Sequence, residues 1–95
     1  MTYIEALQDA IQKTHGCASV HVESVSVHEV FRGETVWDGM VEVFALEGHG
    51  KARHCYAWGY QDDSGHGQYV AVLDVPPVDS AQKAVQAYIL AQQKA

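Results

Sequence analysis

The sequence predicts a two-layer α+β domain over residues 1–95, in the order α-β-β-β-β-α: a four-stranded antiparallel meander with both helices on one face. Three observations predict it. Both ends of the chain carry apolar residues at helical spacing. The middle carries runs of alternating apolar and polar residues, separated by short stretches rich in Gly and Asp. A Pro76-Pro77 pair divides the last alternating run from the final helical pattern, because neither proline can donate to a sheet ladder.

The first helix is predicted over Thr2 to about Lys13. Thr2 is placed to cap it, with Glu5 three residues later completing a capping box, and Gly16 is the terminator. Tyr3, Ile4, Leu7 and Ile11 form its apolar stripe. From Ala18 to Arg32 valines alternate, but the phase slips between Val22 and Val25. Either both faces of that strand are partly covered, or a bulge lies near Ser24 to Ser26. Gly33-Glu34 is read as a tight turn into a second strand, Val36 to Glu47. Gly48-His49-Gly50 then turns the chain into a third, Lys51 to Gln61. The polar loop Asp62–Gly67 leads to a fourth strand, Gln68 to Val75. Asp79 is expected to cap the last helix with Gln82 as its capping-box partner. Ala81, Ala84, Val85, Tyr88 and Ile89 supply the buried stripe of that helix.

Composition excludes several classes of function. A net charge of -6, with six scattered Lys and Arg, argues against nucleic acid and acidic membranes as partners, since both need clustered positive charge. No run approaches the roughly 20 apolar residues of a transmembrane helix, and the N-terminus lacks a secretory pattern, so the cytoplasm is the expected compartment. Cys17 and Cys55 are expected there as reduced thiols. The six histidines and two cysteines show no CxxC, HExxH or same-face His-x-His spacing, so neither a metal nor another cofactor is expected. Cys55 has no base beside it, which argues against a cysteine nucleophile. The Asp62-Asp63-Ser64-Gly65-His66-Gly67 segment lacks the ligand alternation of a calcium loop and is read as a turn.

Opposed residues of an antiparallel pair share a face, so the three turns assign the faces. With these turns, Gly39, Val41, Val43, Ala45, Cys55, Ala57 and Gly59 gather on one side, small enough for helices to lie close. The other side gathers Met40, Glu42, Phe44, His54, Tyr56, Trp58, Tyr60 and Tyr69. No remaining segment covers that aromatic side, and soluble monomers rarely expose so large an apolar patch. It is therefore the expected binding or interface surface, most simply of a homodimer, and Trp58→Glu is expected to release soluble monomer. The alternative is a small-molecule pocket or small enzyme on the same side. There His21, Glu23, Glu42 and His54 provide polar groups, with Glu42 and His54 as the acid–base pair.

Overall fold

A computed structural model describes residues 2–93 of the chain. Helix α1 (Tyr3–His15) leads into strands β1 (Ala18–Phe31), β2 (Glu34–Glu47), β3 (His54–Gln61) and β4 (Gly67–Leu73), and helix α2 (Ala81–Gln93) follows. The strands pair antiparallel in chain order, so element order and meander are as the sequence predicts. Thr2 caps α1 through the expected box: its hydroxyl accepts from Glu5 N–H, and the Glu5 carboxylate accepts from Thr2 N–H, both at 3.1 Å. Gly16 ends the helix at φ 73°, where a Cβ would be strained.

The cap of α2 falls one residue later than expected. Ser80, not Asp79, accepts from Lys83 N–H at 3.2 Å, and Asp79 forms an ion pair with Lys83 instead. Gln82 makes no capping box. It reaches back to β1, donating to the Glu29 carboxylate and the His28 carbonyl. Asp and Ser are near-equal caps, so the contacts of the helix with the sheet decide between them.

The placement of the helices corrects the sequence expectation. One buried cluster joins α2 residues Ala81, Ala84 and Val85 to Val27, Val41, Val43, Tyr56 and Trp58. A second joins α1 residues Leu7 and Ile11 to Phe44, Cys55 and Ala57. Tyr56 and Ala57 are adjacent in one strand and so point to opposite faces. The helices therefore cover opposite faces, and the sheet is the middle of three layers rather than one of two. Phe44, Leu7 and Ile11 are fully enclosed on the α1 side, each worth about 1.5–3 kcal/mol of apolar burial.

Turn geometry explains the difference. A turn at Gly48–Gly50 would set Val43 opposite Cys55. The observed connection is longer: Leu46 N–H bonds to Arg53 O, and the His49 ring nitrogen Nδ1 accepts from Lys51 and Ala52 N–H at 3.1 and 3.0 Å. Val43 thus pairs with Tyr56, and Phe44 with Cys55. A one-residue slip sends every side chain to the other face. In β1 the extra residue Val22, between the His21–Phe44 and Glu23–Val43 pairs, is a bulge just before the expected Ser24–Ser26 region. It turns Val25 and Val27 toward Val41, which resolves the slipped valine phase. The β1–β2 turn is Arg32-Gly33, one residue earlier than expected, with positive φ at both residues (53° and 80°) and Phe31 opposite Glu34. The Asp62 loop is a turn, as expected. The Asp62 carboxylate accepts from the Ser64 hydroxyl and N–H, His66 N–H and the Gln68 amide, and these bonds hold its carboxyl below the usual range.

Candidate functional site

The eight residues expected to share an open face do not share one. Met40, Glu42, Phe44 and Tyr69 face the α1 side, whereas His54, Tyr56, Trp58 and Tyr60 face α2. Most are covered. Phe44 lies in the α1 core, and Trp58, only 3% exposed, sits edge-on between Trp37 and Tyr88 with ring centroids 5.4 Å from each. Met40, Tyr60 and Tyr69 remain about half exposed, on different faces. Tyr60 leans toward Tyr88 at 6.4 Å, and Tyr69 packs beside Gly59 and Tyr3.

The expected acid–base pair is also divided. Glu42 is buried on the α1 side, accepting from His21 Nε2 at 2.8 Å and from the Ser24 hydroxyl. These bonds satisfy a carboxylate that would otherwise be costly to bury. His54, on the opposite face, is paired with Asp74 instead. Its Nδ1 lies 3.3 Å from Asp74 Oδ2, and Arg53 N–H donates to the other carboxylate oxygen at 3.1 Å. The Asp74 N–H in turn bonds to His54 O at 3.0 Å. Asp74 is therefore held by three bonds where β3 begins, just after β4 ends. A proton on Nδ1 directed at Asp74 leaves Nε2 as an acceptor.

This pair forms one wall of a cleft of about 510 Å³ between the sheet and the start of α2. Val25, Val27, Val43 and Tyr56 form the apolar floor, and Asp79–Gln82 close the side. The β1 bulge turns both Val22 and Glu23 toward the cleft. Burial raises the pKa of the Tyr56 hydroxyl, which stays protonated as a hydrogen-bond donor at neutral pH. Glu23, Asp74 and Asp79 give the rim three carboxylates, of which Asp79 is ion-paired with Lys83, and among the described residues no Lys or Arg lines the cleft. The volume lies in the usual range of small-molecule sites, roughly 300–1,000 Å³. Sequence reading placed Asp74 inside the fourth strand and Asp79 at the cap of the last helix and gave neither a place in a site, because the His54–Asp74 contact exists only once β3 and β4 align.

Other groups are chemically quiet. Cys17 and Cys55 are free and buried on the α1 side, and burial pushes the Cys55 thiol up to about 12, far from a reactive thiolate. His15 bonds the Ala71 carbonyl at 3.0 Å and ties the end of α1 to β4. Among the described residues no three His, Cys, Asp or Glu side chains are grouped to hold a metal ion. None of the described helices is long and apolar enough to cross a membrane. A second, smaller groove of about 320 Å³ lies between the β1–β2 turn and the far end of α2, lined by Val30, Phe31, Val36, Ile89 and Leu90 among others. Comparison with known protein families, curated proteins and solved structures finds no match, and the function is read from the geometry of the site alone.

Proposed function

We propose that this is a ligand-binding domain whose cleft between β1, β3 and the start of α2 takes a small organic molecule with a cationic or donor-rich end. The observation that carries this reading is the combination, in one 510 Å³ cleft, of an apolar floor with the carboxylates of Glu23, Asp74 and Asp79 at its rim, while among the described residues no Lys or Arg lines it. An amine would be met by Glu23 and Asp74, while an aromatic or aliphatic body would lie over Val25, Val43 and Tyr56. His54 Nε2 and the Tyr56 hydroxyl would add one acceptor and one donor to orient it. Assembly through one aromatic face is not the reading the geometry favours, because Phe44, Tyr56 and Trp58 are enclosed by the two helices. Two free, buried thiols support the cytoplasm as its compartment.

The test is an amide chemical-shift titration with small aromatic amines and matched aromatic carboxylates. Amines should shift Glu23, His54, Tyr56 and Gln82 together, and Glu23→Gln, at an exposed position, should weaken them without unfolding the chain. Equal response to the carboxylates, or no response to either series, would remove the proposal.

A further inference from the structure

Tyr56 is the most deeply placed polar side chain of the cleft, and only 7% of it is exposed. Val43 of β2 and Val72 of β4 oppose it on either side, so the ring is held by two neighbouring strands. A group fixed on a central strand has a defined place, unlike one carried on a loop.

Among the described residues the Tyr56 hydroxyl forms no hydrogen bond. What acts on it is burial, then the charges of Asp74, Asp79, Cys55 and Glu23, all of which raise its pKa and keep it a donor at neutral pH. The Ser19 hydroxyl is the one wholly buried side-chain polar atom without a partner among the described residues. The unbonded Tyr56 oxygen therefore opens into the cleft that its ring lines. An enclosed hydroxyl that bonds nothing in the protein is unusual, and an occupant that excludes water from the floor must take over its bond.

Other donors of the cleft are engaged or lie off the floor. The Gln82 amide is spent on the Glu29 carboxylate and the His28 carbonyl, and His54 Nδ1 faces Asp74. The Ser80 hydroxyl caps α2 at the side, accepting from Lys83 N–H. The rim thus offers acceptors, and the floor offers one free donor.

We propose that the ligand is an amine that also carries an uncharged carbonyl, as in an amino amide, and that Tyr56 is the residue that selects it. The ammonium group would lie at Glu23 and Asp74, and the carbonyl oxygen would accept from the Tyr56 hydroxyl. This rests on the amine-binding reading of the cleft and narrows it. A carbonyl suits the floor because it accepts and does not donate. A ligand carboxylate would also accept, but it would meet the charges of Glu23 and Asp74 with no Lys or Arg among the described lining residues to offset them.

The test compares three probes that share one ring: phenylalaninamide, 2-phenylethylamine and phenylalanine. Affinities come from amide chemical-shift titrations at about pH 6.5, where the amino groups of all three are charged. In the native chain phenylalaninamide should bind roughly tenfold more tightly than 2-phenylethylamine, the worth of one well-placed hydrogen bond, and phenylalanine should bind least. In Tyr56→Phe the ratio of the first two should fall to about one, since the donor is gone and the ring remains. Equal affinity of the amide and the plain amine in the native chain would overturn the proposal and leave the amine reading standing. A ratio that persists in the folded variant would also overturn it. So would failure of Tyr56→Phe to fold, which would mean that the hydroxyl is bonded within the protein. Silence from all three probes would remove both readings.

Discussion

Against α1, the sheet presents Cys55, Ala57 and Gly59 beside Phe44; against α2, it presents Tyr56 and Trp58 beside Trp37. The same strands, read one residue out of step, make two different layers. Small side chains let α1 lie close, to the point that the Tyr3 hydroxyl accepts from Gly59 N–H at 2.8 Å. Any Cβ at position 59 would meet the Tyr3 and Tyr69 rings at 3.2 Å. On the other face, the rings of Trp58 and Tyr88 stack edge-on beneath α2 and fill its middle, and open space is left at both ends of the helix. The α1 face encloses Leu7, Ile11 and Phe44 and carries stability, with Met40 and Tyr69 left half exposed at its margins. The opposite face holds its helix on an aromatic pivot, with a cleft at each end of that helix.

The strongest way to break this comparison is Trp58→Glu. On an open face this change would free a monomer. Beneath α2 it removes the pivot and buries an unpaired charge, each worth about 3–5 kcal/mol, which together approach the whole stability of a small domain. Loss of the folded circular-dichroism signal is expected; a folded, soluble variant would mean that α2 does not cover this face. Phe44→Ala tests the α1 side. With no space for collapse around a fully buried ring, it should cost about 3–5 kcal/mol in urea unfolding, and leave the amine-induced shifts at His54 and Tyr56 in place.

Smaller changes sharpen the contrast. Tyr3→Phe removes one partly exposed bond and should cost about 1 kcal/mol, with faster amide exchange at Gly59 as its signature. The least effect at neutral pH comes from Cys55. Its folded pKa is raised by burial from the ordinary 9.0 to about 12, so the folded chain holds its thiol proton more tightly than the unfolded one. The associated stability is complete below about pH 9 and is lost as pH rises from there toward 12. Native chain and Cys55→Ala should therefore differ by a constant amount below pH 9 and converge above it. A thiol reagent at pH 8 should leave Cys55 unmodified until the chain unfolds.

Element types, their order and the first helix cap were legible because each rests on local chemistry. Thr2 with Glu5, the alternating valines and Pro76-Pro77 act within a few residues of themselves. The Asp62 turn was legible for the same reason, since its carboxylate bonds only to its own loop. What lay beyond the sequence was parity. Whether Val43 meets Cys55 or Tyr56 depends on how many residues the 48–53 connection spends, and a histidine ring accepting two backbone bonds set that number. That single step separated Glu42 from His54 and divided the aromatic residues between two helices. It also made the sheet a middle layer. The His54–Asp74 wall of the cleft arose the same way, from residues 20 apart in the chain that become neighbours only when β3 and β4 align. Local bonds act over a few residues and can be read from a pattern; the facing of a strand is a long-range count, and one residue reverses it.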